Sequence, residues 1–380
     1  MNYYNILIGK NIISLDIVTL CGRRQWKAGI DSYNMSISKL SHKELIKLIK
    51  DRCIPPLLSK FHKGQSGGRV CIIGGCEDYT GAPYFSANAA ALMGCDLTHV
   101  ICEQNAATVI KSYSPNLMVH PYLIDTGTYK RYYKDSEEDV KVENFNKIKG
   151  LLQRIHAVII GPGLGRDEMM FETIRDIIKY ILEEHKGNIP IVLDADGLYY
   201  LGQNKEVQEL LLKFPAGRVI LTPNVVEFKR IYDSVIGDNS DTTDHELQGL
   251  KIAQKLKCIV VEKGESDKIF GSNGNMIVNE QAGSNKRVGG QGDTLTGTIG
   301  CFLAYSRAMH DFKIMETEED KHKNKTDHDL EWIDYAMLSC YGGCCVTREC
   351  ARLAFKENKR AMQTTDLNDR VGQVYDKIFG

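Results

Sequence analysis

Short apolar runs alternate with longer amphipathic stretches along most of this 380-residue chain. Continuous apolar runs are typical of strands buried in a parallel sheet, whereas apolar positions that recur every three or four residues indicate helices. Strands are predicted at Arg69–Ile73, Leu97–Cys102, Leu117–His120, Ala157–Ile160, Ile189–Asp194, Val219–Thr222 and Cys258–Glu262. Helices are predicted at Tyr84–Met93, Asn105–Tyr113, Met169–Glu184, Val225–Tyr232, Asp244–Leu256, Thr294–Ala308 and Trp332–Phe355. This alternation predicts an α/β fold with a doubly wound, mainly parallel sheet and helices on both faces.

Local signals mark both ends of this pattern. Ser41 and Glu44 have the spacing of a capping box, so a helix is predicted to begin there, and Pro55-Pro56 ends it. Lys268–Gly271 and Met276–Asn279 flank a turn with asparagine and glycine, which predicts a β-hairpin at one edge of the sheet.

Two polar segments, Thr126–Lys149 and Met315–Leu330, interrupt the alternation and are predicted to be surface loops. Since no internal repeat or long linker divides the chain, we expect one domain at residues 41–380, preceded by an extension at 1–40. Residues 1–34 are poor in acidic side chains, as transit peptides are, but also poor in arginine and serine. A targeting segment and an extension outside the fold are both compatible with that composition.

Composition narrows the class of protein. A net charge of −1 provides no basic field for nucleic acid, and no apolar run approaches the roughly 18 residues of a membrane helix. The 12 cysteines include no CxxC pair and no Cys/His group with zinc spacing, which favours reduced thiols. We therefore expect a cytoplasmic enzyme without nucleic-acid or membrane partners, or a mitochondrial one if residues 1–34 direct import.

A glycine-rich stretch, Val288–Gly297, is the leading candidate for chemistry. Three glycines precede Asp293, and an apolar, helix-compatible run follows it. Glycine lets the backbone approach a ligand closely, and the first amides of a helix attract anions. The stretch predicts a seat for a phosphate group, with Asp293 as a base or metal partner. The alternative is a turn in which Asp293 only caps a helix.

Two common nucleotide-binding motifs are absent from the sequence, because neither the GxGxxG spacing nor the GxxxxGK[ST] loop occurs. Glycine- or carboxylate-bearing turns instead follow four predicted strands, at Gly74–Gly81, Gly161–Asp167, Asp194–Gly197 and Thr222–Glu227. Ligands of doubly wound sheets bind outside the carboxyl ends of the strands. We therefore expect these turns to converge on one cleft.

Several polar residues in these turns allow two interpretations, a structural role and a functional one. Asn224 and Glu227 could cap a helix or order water around magnesium, an ion that prefers oxygen ligands. Lys263 could contact a nucleotide phosphate or be a solvated turn residue. Asp194 and Asp196 have helix capping as their simplest explanation.

The ordered set of motifs resembles the ATP-dependent NAD(P)H-hydrate dehydratases, a ribokinase-like family, over roughly Leu45 to Phe379. The motifs are Gly74-Gly75 with Tyr79–Pro83, Gly161–Gly165, Thr222–Phe228 and Gly289–Asp293. The resemblance implies a ribokinase-like three-layer α/β/α sandwich. It also implies that ATP phosphorylates the ring hydroxyl of the S form of hydrated NADH or NADPH, after which phosphate leaves and the dihydropyridine is restored.

The resemblance further implies site residues, with Asp293 as the catalytic base that contacts the substrate hydroxyl. Residues implied to bind the hydrated nucleotide are Gly165, Asn224, Val225, Val226, Glu227, Phe228, Lys229, Arg230 and Asp293. Residues implied to hold ATP are Lys263, Gly264, Glu265, Ser266, Asp267, Gly283, Ser284, Asn285, Lys286, Arg287, Val288, Gly289, Gly290, Gln291 and Gly292. Mg²⁺ is expected as cofactor, with Asn224 and Glu227 near its waters. A separate NAD(P)H-hydrate epimerase is the expected partner, and the sequence leaves a homo-oligomer open.

Two alternative functions use the same residues differently. A ribokinase-like kinase would phosphorylate a stable alcohol, such as a vitamin precursor, and leave the phosphate on its product. A nucleotide-binding sensor would have no turnover, although a carboxylate at the transfer point argues against it. The loop Tyr79–Pro83 and the run Asn224–Arg230 favour the dehydratase.

Overall fold

A single mixed sheet forms the centre of the protein. The computed structural model describes residues 36–134, 136–237, 244–316 and 330–380. Its strands are β1 Arg69–Ile73, β2 Leu97–Glu103, β3 Met118–Leu123, β4 Ala157–Ile160, β5 Ile191–Leu193, β6 Val219–Leu221, β7 Ile259–Glu262, β8 Asp267–Gly271 and β9 Met276–Asn279. They lie in the order β3-β2-β1-β4-β5-β6-β7-β8-β9. Neighbours from β3 to β7 are parallel, and β8 and β9 add antiparallel to the β7 edge as the predicted hairpin.

Helices cover both faces of the sheet. They are α1 His42–Arg52, α2 Gly81–Leu92, α3 Gln104–Tyr113, α4 Thr126–Tyr132, α5 Glu137–Leu152, α6 Glu168–Glu184, α7 Asp196–Gln203, α8 Lys205–Leu211, α9 Val225–Val235, α10 His245–Leu256, α11 Gln291–His310, α12 Trp332–Asn358, α13 Thr364–Asn368 and α14 Val371–Phe379. One apolar core lies between the sheet and the layer that contains α1–α3 and α11–α14, and a second lies between the sheet and α5–α10. The predicted three-layer α/β/α architecture is confirmed.

Continuous apolar strands explain this arrangement. In β1, Val70 and Ile72 enter the first core while Cys71 and Ile73 enter the second. Since successive side chains of a strand point to opposite faces, a strand covered on both sides is apolar at most positions. Burial on both faces therefore follows directly from the pattern of the sequence.

Helix α11 is the buried helix that presents the glycine-rich stretch. Its residues from Asp293 to Ala308 are all buried. A Cβ atom at Gly297 would lie 2.0 Å from the carbonyl oxygen of Ser86 in α2, so only glycine permits this approach. Close packing against α2 and β4 gives the start of α11 a rigid position.

The predicted elements are present with ends that differ by up to three residues, and Ala157–Ile160 agrees at both ends. The prediction that Thr126–Lys149 is a surface loop is wrong, because the segment forms α4 and most of α5. Asp125 and Ser136 accept backbone N–H bonds at the starts of these helices, and a few apolar residues such as Ile148 fasten α5 to the core. Helices α7, α8, α13 and α14 were not predicted.

Most of the predicted loop Met315–Leu330 lies outside the described residues, as do residues 1–34. Among the helices that the structure describes, none is long and apolar enough to cross a membrane.

Candidate active site

The turn before α11 depends on the backbone conformation of Gly290. Gly290 precedes the helix with φ +96°, a left-handed conformation that favours glycine. A Cβ there would lie 2.9 Å from atoms of Phe85 and Thr364. The hydroxyl of Thr364, the first residue of α13, donates to the carbonyl of Gly289 at 2.5 Å. This bond fixes the turn against α13. Thr364 was not predicted to have a role.

Asp293 lies in the first turn of α11 with 9% of its surface exposed. Burial raises the pKa of its carboxyl group to about 8; the negative charge of Asp194 adds to this rise, and the positive charge of Lys263 opposes it. Asp293 therefore holds a proton far more readily than an ordinary aspartate. Such a pKa suits a group that must accept a proton near neutral pH.

Lys263 is a partner of carboxylates rather than a solvated turn lysine. Its Nζ donates to Oδ1 of Asp194 at 2.7 Å. Burial opposes the charge on Lys263, but Asp194, Glu227 and Asp293 together outweigh that effect and raise its pKa. The side chain of Asp194 thus turns toward Lys263, and α7 begins without a side-chain cap. The capping explanation for Asp194 is therefore wrong.

Asn224 and Glu227 form a complete capping box at the start of α9. Asn224 Oδ1 accepts from the amides of Val226 and Glu227 at 2.9 and 3.0 Å, and Glu227 Oε2 accepts from the Asn224 amide at 2.8 Å. The preceding carbonyl of Pro223 accepts from the Lys263 amide at 2.9 Å. The structure therefore brings the predicted substrate segment directly beside the predicted ATP segment.

Side chains within the run Asn224–Arg230 point in different directions. Val225 and Val226 are 58% and 68% exposed, so they present an apolar surface at the start of α9. Phe228 is buried in the second core against the ring of His245, and Lys229 pairs with Asp233 on the exposed side of the helix. Phe228 is therefore enclosed by the core, whereas the side chains of Val225 and Val226 are accessible to a ligand.

The turns predicted to converge do meet. The amide of Gly75 donates to the carbonyl of Gly163 at 3.1 Å, which joins the loops after β1 and β4. The amide of Gly165 donates to Oδ2 of Asp196 at 3.0 Å, and Arg166 donates to the other carboxylate oxygen at 3.2 Å. Asp196 thus orients the Gly165 loop instead of serving only as a cap.

Arg348 of α12 fastens the two predicted ATP segments to each other. It donates to Oδ1 of Asp267 at 3.1 Å and to the Gly264 carbonyl at 3.4 Å, beside the β7–β8 turn. It also donates to the carbonyl of Gln281 at 2.5 Å, just before Gly283. The sequence offered no signal for this role, because Arg348 lies more than 50 positions away in an unremarkable helical pattern.

Hydrogen bonds of its own side chains also stabilise the loop before α11. The hydroxyl of Ser284 donates to the Lys286 carbonyl at 2.5 Å, and Lys286 Nζ donates to the carbonyl of Met362 at 2.7 Å. Asn285 and Arg287 are exposed. At Gly292 an added Cβ would lie 3.3 Å from Lys263 Nζ, so the glycine keeps the space beside the lysine open.

Comparison with known sequences identifies the family. Residues 70–372 match the family described as NAD(P)H-hydrate dehydratase. The chain belongs to this family. It is 66% identical over 347 residues to the ATP-dependent (S)-NAD(P)H-hydrate dehydratase of Saccharomyces cerevisiae, covering 90% of this chain and 100% of the yeast protein. It is 39% identical to the dehydratase of the same name from Rattus norvegicus, covering 88% of this chain and 85% of the rat protein.

Solved structures agree on the architecture of this NAD(P)H-hydrate dehydratase family member. A ribokinase-like superfamily protein from Enterococcus faecalis superposes with a TM-score of 0.60 at 20% identity, covering 89% of this chain and 95% of the other. The ADP/ATP-dependent NAD(P)H-hydrate dehydratase from Bacillus subtilis, co-crystallised with ATP and Mg²⁺, gives 0.56 at 19% identity over 88% and 97%. The ribokinase-like fold is confirmed, as is the family predicted from the ordered turns.

Proposed function

We propose that this protein uses ATP to dehydrate the S form of hydrated NADH or NADPH, restoring the reduced nicotinamide and releasing ADP and phosphate. The observation that supports this most directly is Asp293, a buried carboxyl group with a pKa raised mainly by burial to about 8, at the amide-bearing start of α11. A base and an anion seat are thereby adjacent. Phosphorylation of an alcohol requires both.

The proposed first step is phosphoryl transfer. Asp293 accepts the proton of the ring hydroxyl while the hydroxyl oxygen attacks the terminal phosphorus of ATP, and the bond from that phosphorus to ADP breaks. Amides of the Gly289–Gly292 turn stabilise the negative charge on the transferred group, which is the main task of a protein in phosphoryl transfer.

The second step removes the phosphate. The ring carbon–oxygen bond breaks, phosphate leaves with the bonding electrons, and the adjacent ring carbon loses a proton to restore the double bond. Hydroxide is a poor leaving group and phosphate a good one, so ATP supplies the driving force for an otherwise slow dehydration. Val225 and Val226 offer an exposed apolar surface against which the uncharged ring can lie.

Mg²⁺ is proposed as the ion that accompanies ATP. The carboxyl groups of Asp194, Glu227 and Asp293 all act on the charge of Lys263, so oxygen atoms of the kind that Mg²⁺ prefers lie near the proposed ATP segments. Among the described residues no group of three or more acidic, histidine or cysteine side chains could hold a metal alone. Mg²⁺ commonly keeps waters and binds phosphate oxygens, so Asn224 and Glu227 are proposed to contact its waters. Bound with ATP, the ion would neutralise charge on the phosphates.

The test uses purified protein with hydrated NADH, ATP and Mg²⁺. Return of the reduced-nicotinamide absorbance together with free phosphate is expected; an accumulating phosphoester would identify a kinase instead. Asp293→Asn is expected to bind ATP normally but to lose about 100-fold or more in rate, as on removal of a general base. Asp51→Asn, an exposed carboxylate of α1, is the matched control. Near-normal turnover by the Asp293 variant would refute the assigned base.

The proposal extends to cellular context. A stereospecific enzyme uses only one epimer of the hydrate, so we propose that it works with a separate epimerase, in the cytoplasm or, if residues 1–34 direct import, in mitochondria. Sedimentation of the purified protein distinguishes a monomer from the homo-oligomer that the sequence leaves open.

A further inference from the structure

Two arginines lie against one tyrosine ring, beside the loop that contains Gly165. The guanidinium carbon of Arg166 is 4.0 Å from the ring centroid of Tyr199, and that of Arg230 is 5.4 Å from it. Arg166 follows β4, Tyr199 lies in α7 and Arg230 lies in α9. Three separate segments therefore bring two permanent positive charges together, and attraction to the ring face orients both.

Few of the N–H donors of this arginine pair have partners among the described residues. Arg166 donates to Asp196 at 3.2 Å, and Asp196 is shared with the Gly165 amide. Within the part of the chain that the structure describes, Arg230 has no hydrogen bond or ion pair, although its charge acts on Glu227. A guanidinium group has five N–H donors, so the pair retains many donors for an anionic ligand.

The turn between β5 and α7 connects the arginine pair to the surroundings of Asp293. Asp194 and Asp196 are separated only by Ala195, whose φ of +47° turns the chain sharply. Asp194 faces Lys263 near Asp293, whereas Asp196 faces Gly165 and Arg166. The ATP segments lie around Lys263 instead. A substrate whose hydroxyl lies at Asp293 would therefore extend along this short turn toward the arginines.

We propose that Arg166 and Arg230, oriented by Tyr199, bind the diphosphate of the hydrated nicotinamide dinucleotide. The inference rests on the proposed function, which supplies a substrate with two linked phosphates close to its nicotinamide ring. Planar guanidinium groups bind phosphate oxygens in a bidentate manner. The 2′-phosphate of the NADPH form is more distant from the ring, so the site close to the transfer turn is assigned to the diphosphate that both forms share.

Steady-state kinetics on Arg166→Gln and Arg230→Gln test this assignment. For both hydrated NADH and hydrated NADPH, we expect KM to rise about tenfold or more in each variant, the scale of a lost charge-assisted hydrogen bond. The KM for ATP and kcat should change less than about twofold. Arg230→Lys, which keeps the charge but loses the fork, should give an intermediate KM.

Arg154→Gln is the matched control, because Arg154 is an exposed arginine near the amino end of β4, whereas Arg166 follows its carboxyl end. Unchanged KM values in the Arg166 and Arg230 variants, or changes equal to those of the control, would overturn the assignment. An effect confined to hydrated NADPH would assign the pair to the 2′-phosphate and overturn the diphosphate site. A rise in KM for ATP alone would overturn it in favour of nucleotide phosphates.

Binding of NAD⁺ separates this inference from the proposed function, because NAD⁺ has the same diphosphate. Calorimetry without ATP should show weaker NAD⁺ binding to Arg230→Gln than to the wild type. Equal melting temperatures of the two proteins would show that the variant is folded. If the wild type does not dehydrate but its NAD⁺ binding depends on the arginines, the function fails and the site stands. If the wild type dehydrates normally but neither the NAD⁺ affinity nor the KM depends on the arginines, the proposed function stands and the diphosphate site fails.

Discussion

Lys263 Nζ and Asp194 Oδ1 form an ion pair 2.7 Å long, with only 21% and 4% of the two side chains exposed. Both partners act on the pKa of Asp293, where burial has the largest effect, Asp194 raises it further and Lys263 lowers it. The pair therefore sets the electrostatic environment of the proposed base. Changing either partner should move the pH dependence of catalysis, and the two changes should move it in opposite directions.

Lys263→Met removes the positive charge and should raise the pKa of Asp293. As a base, Asp293 must be deprotonated, so activity rises with pH through its pKa. The wild-type rise is expected near about 8. In the variant it should shift to higher pH, as measured by kcat/KM at low concentrations of both substrates. A shift to lower pH would contradict the described electrostatics.

Asp194→Asn removes the negative charge that favours the protonated form of Asp293. It also frees the charge of Lys263 to act on Asp293, so the rise of kcat/KM should move to lower pH than in the wild type. The maximal rate can fall as well, but the position of the rise is the diagnostic quantity. Asp51→Asn, remote and exposed, should leave that position unchanged.

Asp293 should lower stability at alkaline pH. Its pKa rises from an ordinary value near about 3.9 in the unfolded chain to about 8, mainly through burial. Between these values the folded state binds more protons than the unfolded state, so the free energy of unfolding falls as pH rises. Asp293→Asn does not titrate and should gain about 2 °C or more in melting temperature, relative to the wild type, from about pH 5 to about pH 9. A constant difference across that range would show that Asp293 is not perturbed.

Two neighbouring glycines at the proposed phosphate seat should respond differently to substitution by alanine. Gly290 has φ +96° and faces contacts of 2.9 Å to Phe85 and Thr364, so Gly290→Ala should cost about 1–3 kcal/mol in the free energy of unfolding. At Gly289 an added Cβ would meet no atom within 4 Å, and φ is not positive. Gly289→Ala should therefore change that free energy by less than about 1 kcal/mol. Denaturant titration of both variants measures the contrast, and equal losses would show that Gly290 is not conformationally required.

The sequence by itself determined the architecture and the family. Short continuous apolar runs, such as Val70–Ile73, are typical of strands covered on both faces of a parallel sheet, and their alternation with helical patterns favoured an α/β fold. The glycine-rich turns had to follow the strands, because the chain must reverse there without steric conflict. Their order along the chain was specific enough to identify the dehydratase family. The capping residues Ser41 and Asn224 could be predicted because caps are local interactions.

Only the tertiary structure decided which charges meet. The ion pair of Lys263 with Asp194 joins residues 69 positions apart. The contact of Arg230 with Tyr199 joins side chains of two different helices, α9 and α7. The segment Thr126–Lys149 appears polar in sequence, yet a few buried side chains are enough to hold it as helices. Burial and neighbouring charges, which raise the pKa of Asp293, depend on the packing of distant elements. Local patterns identify the residue types of a site, whereas its protonation and selectivity come from distances that arise on folding.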